Sequence, residues 1–148
     1  MKNQLLFSAL LLLGGCATTT SSTTVYSNTM DIISTAAAAA PEVVTGDYTL
    51  FIKAVGQQGN NVYLNTELDY RDQRNVTIVL PIPILPRMGI HNFTGLEHHF
   101  LNHGVQIHGN AMRARIDFMR DHRPTEFYYY QTHIVVTNPT AISVIAAQ

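Results

Sequence analysis

The chain has 148 residues, nine Lys plus Arg against ten Asp plus Glu, and a formal net charge of −1, with seven histidines, no tryptophan and a single cysteine. One cysteine excludes an intramolecular disulfide, so the fold must be held by its core. Near-neutral charge argues against a generic nucleic-acid binder, which takes most of its affinity from a basic face that neutralises phosphates.

At the amino terminus Lys2 precedes an apolar run, Leu5 to Leu13, then Gly14, Gly15 and Cys16. The run is far shorter than the ~20 residues that span a bilayer, so it reads as a cleaved secretory signal. The ending "LGGC" resembles the lipobox of bacterial lipoproteins. That resemblance implies a diacylglyceryl group on the Cys16 thiol, cleavage before it and acylation of the new terminus. The alternative is an ordinary cysteine in an ordinary signal peptide. In such lipoproteins an Asp after the cysteine often marks inner-membrane retention; here it is Ala17, which implies the outer membrane, facing the periplasm. Two or more acyl chains give stable anchoring. Loss of Lys2 leaves eight basic against ten acidic side chains.

The expected organisation is a signal peptide (1–15), a lipidated tether (16–42) and a folded domain (43–148). Residues 17–29, "ATTTSSTTVYSNT", show no apolar periodicity and read as flexible. "MDIISTAAAAAP" fits either a short helix begun at Asp31 and stopped by Pro41 or low-complexity linker.

Within the domain, "YTLFIKAVG" (48–56) predicts a first strand, "GQQGNN" (56–61) a turn and "VYLNTELDY" (62–70) a second strand. "RDQRN" (71–75) predicts a hairpin tip, and "VTIVLPIPI" (76–84) a third strand ended by Pro81, Pro83 and Pro86. Thr94 with Glu97 fits a capping box for a helix over Gly95 to His103, with Leu96 and Phe100 facing the core and Gly104 ending it in the left-handed conformation. "VQIHGNAMRARIDFM" (105–119) is a long alternating strand with a bulge or bend expected at Gly109. "TEFYYYQTHIVVT" (125–137) and "AISVI" (141–145) complete the set.

Three strands, a helix and two more strands with an extension is the order of an OB-fold. "VYLNTE", "GVQIHGNA" and "HIVVTNPTAISV" resemble the strand texts of OB-fold domains, including the thermonuclease-like group. The expected fold is therefore mainly β, a five-stranded Greek-key barrel with one short capped helix between strands 3 and 4. An immunoglobulin-like sandwich is the rival, disfavoured by the mid-chain helix.

OB-folds commonly bind on the face of strands 2 and 3, between loops that are here "GQQGNN" and "RDHRPTE". Tyr63, Tyr70, Arg71, Arg74, Arg120 and Arg123 are then candidate ligand-binding residues, as aromatic platforms and planar donors. The competing account is that the arginines pair with Glu67, Asp69 and Asp72 on a solvated hairpin. A thermonuclease-like barrel would use such acids for a metal, but no acidic set matches that pattern residue by residue, and no G-x-S-x-G occurs. No catalytic residue is assigned.

His99 and His103, four apart on the expected helix, could share a metal, but a third ligand is not identified, and a half-buried, hydrogen-bonded His103 is the plainer account. In "FYYYQ", Tyr128 and Tyr130 fall on one strand face and Phe127 and Tyr129 on the other, and one of those faces should be core. The sequence therefore points to a non-enzymatic, membrane-anchored binding module without a cofactor or metal. Its expected partner is an envelope protein rather than a glycan, since tryptophan for sugar stacking is absent. The alternatives are a metal-dependent phosphodiester hydrolase of thermonuclease type and a histidine-based metal-binding protein.

Overall fold

The computed structural model describes residues 23–145, so the signal segment and Cys16 lie outside the described residues. The chain is mainly β. Its strands are β1 (Val25–Tyr26), β2 (Val44–Phe51), β3 (Ala54–Gln58), β4 (Asn61–Asn65), β5 (Val76–Pro81), β6 (Gly104–Arg120), β7 (Arg123–Val135) and β8 (Ile142–Ile145), with helices α1 (Thr29–Ala39) and α2 (Phe93–Phe100). They form one mixed sheet in the order β1-β2-β6-β7-β5-β4-β3, with β8 also pairing β6. The pairs β1/β2 and β5/β7 are parallel and the others antiparallel.

The five-stranded closed barrel is corrected to an open sheet of eight strands. Two additions, β1 and β8, come from segments outside the expected five, the expected first strand is divided into β2 and β3 at Ile52 and Lys53, and the sheet is open because its edge strands β1 and β3 pair only with β2 and β4. Ile52 and Lys53 still bond to both sides. The Ile52 amide donates to the His103 carbonyl (2.9 Å), Asn102 donates to the Ile52 carbonyl (2.9 Å), and Lys53 donates to the Asn65 carbonyl (2.8 Å).

Alternation places Tyr48, Leu50, Val62, Leu64, Ile78 and Ile134 inward in one core, joined by Leu96 and Phe100 from α2. α2 begins at Asn92, whose side chain accepts from the Gly95 amide, and it ends at Phe100. The expected Thr94 cap and a helix running to His103 are thus both replaced. The left-handed residue beyond it is Asn102 (φ 60°), while Gly104 opens β6, where an added Cβ would lie 2.7 Å from Cγ1 of Ile145. Gly109 also keeps regular register opposite Gly46, and the irregularity in β6 falls between Asp117 and Met119 instead.

Residues 25–39, expected in the tether, belong to the packed unit. Asn28 caps α1 by accepting from the Met30 and Asp31 amides, and Ile32 and Ala36 are fully buried against the sheet. The alanine run continues the helix to Ala39 through alanine's high helix propensity, with Ala36 alone of the run buried, and Pro41 follows it.

Candidate functional site

The second strand stops at Asn65, five residues before the expected end at Tyr70, and residues 66–75 form a loop rather than a hairpin tip. The loop is built around Asn75, which is only 3% exposed. Its Oδ1 accepts from the amides of Thr66 (2.9 Å) and Glu67 (3.1 Å) and from the Thr66 hydroxyl (3.3 Å). Its Nδ2 donates toward Asn65 Oδ1 (3.1 Å), the Tyr70 carbonyl (3.2 Å) and Thr77 Oγ1 (2.9 Å). A buried amide with all its valences met is a strong local constraint.

The charges of this loop are taken up locally. Arg74 donates to both oxygens of Asp72 (3.0 and 2.7 Å), Glu67 meets Lys53 at 2.9 Å, and Arg71 lies 3.7 Å from Asp69 and 5.0 Å over the Tyr70 ring. Hydrogen bonds from Arg74 hold the Asp72 carboxyl down at about 2. The acids are thus spread along the loop, each against its own cation. Among the described residues no three His, Cys, Asp or Glu side chains gather as metal ligands.

Sheet register brings a different set together. Asn65 lies opposite Thr77, Thr77 opposite His133, Gln131 opposite Ala114 and Tyr129 opposite Ile116. With Tyr63, two residues before Asn65, these side chains share the face opposite the core. With Tyr70, all of them but Ala114 line a groove of about 390 Å³, bordered by Gly56, Gln57 and Gln58 of β3. No Asp, Glu, Lys or Arg lines it.

Gln131 is the junction of the groove. Its Nε2 donates to the Tyr70 carbonyl (3.0 Å) and Tyr129 Oη (3.1 Å), fixing the loop against β7. Its Oε1 lies 2.8 Å from His133 Nε2. Burial lowers the pKa of His133, so the ring is neutral at pH 7; this network assigns the proton to Nε2 and leaves Nδ1 as an acceptor. Burial, then the neighbouring Tyr70, raises the pKa of Tyr129, whose hydroxyl stays protonated. The groove thus offers phenol rings, hydroxyls and amides without a formal charge.

Of the sequence candidates, Tyr63 and Tyr70 are brought together in this groove. Arg71 stands beside it over Tyr70, and Arg74 is engaged by Asp72. Arg120 and Arg123 are elsewhere, facing each other at the tip of the β6–β7 hairpin across a turn in which Asp121 (φ 50°) and His122 (φ 61°) are both left-handed. Sequence reading missed Gln131, His133 and Tyr129 as site residues. Their signal was present in the alternation of "YYYQTH", which puts Tyr129, Gln131 and His133 on one face, but only the pairing of β7 with β5 sets that face beside Tyr63.

α2 ends between the two histidines of the expected pair. His99 packs edge-on against Phe100, and its pKa is lowered by burial first and then by His103 and His98. His103 Nδ1 lies 3.0 Å from the Leu101 carbonyl in a half-buried position, and with the helix ending at Phe100 the four-residue helical spacing no longer applies.

The expectation that one face of "FYYYQ" is core is also overturned. β6 and β7 outrun the body of the sheet, so Phe127, Tyr128 and Tyr130 are all exposed, with Phe118 and Met119 across the ribbon. One face carries a ladder in which Arg113 lies 3.7 Å over Tyr130, Arg115 lies 4.1 Å over Tyr128, and Arg115 donates to Asp117 (2.8 Å). On the other, Phe118 packs on Tyr129 with ring centres 5.4 Å apart.

No family model matches this chain, and no curated protein matches it. Among solved structures, an aspartyl-tRNA synthetase from Entamoeba histolytica is 12% identical over 95% of this chain and 24% of its own, with a TM-score of 0.46. A putative aspartyl-tRNA synthetase from Leishmania major Friedlin is 14% identical over the same shares, with a TM-score of 0.44. The chain thus spans about a quarter of those proteins. At such scores the likeness carries no argument, and the fold description rests on this chain's own strands. Among the described residues no helix is long and apolar enough to cross a membrane.

Proposed function

We propose that the chain is a non-enzymatic binding module of the cell envelope, whose uncharged tyrosine and amide groove holds an extended, uncharged segment of a partner protein. The observation that carries this reading is the groove itself, with Tyr63, Tyr70 and Tyr129 as rings beside the amides of Gln131 and Gln57. No formal charge lines the groove, and a charged ligand would meet only Arg71 at its border, already beside Asp69. An extended peptide would find aromatic surface, hydroxyl and amide partners, and the outer strand β3 alongside.

The finer fold reading is an OB-like barrel. β2 runs on through Ile52 and Lys53 into β3, so that Val44 to Gln58 acts as one bent strand linking β6 to β4. The path β4-β5-β7-β6 with parallel β5 and β7 then returns toward itself, and the groove occupies the face between the β3–β4 turn and the β6–β7 hairpin where OB-folds bind ligands.

Anchoring rests on the Leu-Gly-Gly-Cys ending at Cys16 and on Ala17, which support an acylated outer-membrane protein facing the periplasm. Labelled fatty acid should enter the wild type and be absent from Cys16→Ser. Label in the variant, or none in either, contradicts the anchor. For the groove, a photo-crosslinking residue at position 63 or 129 should capture the same envelope protein, and one at Phe93 on α2 should not. Capture that is equal at all three positions, or none at 63, contradicts the binding reading.

A further inference from the structure

We infer that the tip of the β6–β7 ribbon is a second, separate docking element that inserts its exposed apolar side chains into the interface of an anionic bilayer. Phe118, Met119 and Phe127 are 50%, 60% and 65% exposed. Beside them stand Arg120 and Arg123, which have no carboxylate partner among the described ion pairs. Four of the chain's nine Lys and Arg fall between residues 113 and 123; the acids of the same ribbon are Asp117, already held by Arg115, with Asp121 and Glu126. Apolar and aromatic groups ringed by arginines match the acyl boundary and headgroup layer of an anionic membrane.

Chain direction points the tip the same way as the proposed anchor, and the inference rests on that anchor for its orientation. β1 runs parallel to β2 with Val25 opposite Asp47, and β2 runs antiparallel to β6 with Val44 opposite Ala111. From Tyr26 to Val25, read backwards, β1 therefore heads toward the end of the sheet from which β6 continues to Arg120. Counted from the level of Val25, which faces Asp47 and through it His108, β6 runs about 40 Å to Arg120, while the nine residues from Val25 back to Cys16 can reach at most about 30 Å, so the tip can stand about 10 Å beyond Cys16, the depth to which interfacial apolar groups insert. The ladder of Arg113 and Arg115 on Tyr130 and Tyr128 stiffens the ribbon, so the tip is presented rather than collapsed.

The chain contains no tryptophan, so Phe118→Trp creates a single reporter at an exposed position. The mature protein carrying this substitution is bound to phosphatidylcholine vesicles containing about a third phosphatidylglycerol, with and without brominated acyl chains. The indole fluorescence of Phe118→Trp should shift to the blue and be quenched by the brominated lipid. That of Phe93→Trp, on the helix leading into the opposite end of β6, should do neither. Adding Arg120→Glu and Arg123→Glu to Phe118→Trp should cut the quenching by about half or more while leaving the protein on the vesicles. The mass of the mature amino terminus reports the anchor independently. An acylated, vesicle-bound Phe118→Trp protein whose indole stays in water overturns the docking inference and leaves the anchor intact, whereas quenching in a Phe118→Trp protein without acyl groups supports docking and removes the anchor. A blue shift that follows protein concentration without vesicles would assign the tip to a second copy of the chain and overturn the membrane assignment.

Discussion

The loop 66–75 and the outer half of the β6–β7 ribbon draw on the same residue types, arginine, tyrosine and aspartate, and use them in opposite ways. In the loop, every cation has a carboxylate of its own, and a buried asparagine meets the free backbone amides at the loop's base. In the ribbon, aromatic rings and the arginines at the tip remain open to solvent on both faces. Density of charge along the sequence is therefore a poor guide to a site; what distinguishes a candidate surface is which groups keep unmet partners after folding.

The sharpest way to break this contrast is at Asn75. Asn75→Ala leaves the Thr66 and Glu67 amides and the Asn65 and Thr77 side chains without a common partner, and should destabilise the domain by about 2–4 kcal/mol, read as a fall in the urea midpoint. A loss below about 0.5 kcal/mol would mean that the loop is not organised by this amide. Next in size is Gly104→Val. The new Cβ would press on Ile145, at a cost of about 1–3 kcal/mol, and Ile145→Ala should restore most of it. A loss that Ile145→Ala fails to relieve would point instead to backbone strain at residue 104.

On the ribbon, Phe118→Ser with Phe127→Ser should cost no more than about 1 kcal/mol, because both rings are at least half exposed and Phe118 packs only on Tyr129. A large fall in the thermal midpoint would show that the ribbon folds back on the body.

The smallest effect is electrostatic. Asp72 titrates at about 2 against an ordinary value of 3.8, chiefly through hydrogen bonds from Arg74. A carboxyl whose pKa is lower in the folded state contributes stability above the unfolded value and loses it as pH falls through the folded one, so the window lies between these two values. In Arg74→Ala the carboxyl resonance of Asp72 should titrate nearer its ordinary value, and an unchanged midpoint would show that the pair does not persist in solution.

Much of the fold was legible because alternation is a local signal. The inward sets Tyr48/Leu50, Val62/Leu64 and Leu96/Phe100 follow from spacing alone. The errors came from non-local facts. "VYLNTELDY" carries strand residues to Tyr70, but the Asn75 amide captures the backbone after Asn65, and those contacts span nine and eight residues. "FYYYQ" has strand alternation, yet no local pattern states that β6 and β7 extend beyond their neighbours. The groove was half visible, through Tyr63 and Tyr70, and its other half depended on the parallel pairing of β5 with β7.

Whether the uncharged groove or the charged loop binds the partner is the central question. The direct measurement is the affinity of the protein crosslinked from position 63 for two double variants, each first shown to keep the wild-type melting midpoint. Tyr63→Ala with Tyr129→Ala should weaken binding at least about tenfold, as removal of central aromatic anchors does. Arg71→Ala with Arg74→Ala should stay within about threefold of wild type, because exposed, locally paired arginines contribute little. Wild-type affinity in the tyrosine variant together with loss of binding in the arginine variant would contradict the assignment and move the site to the loop.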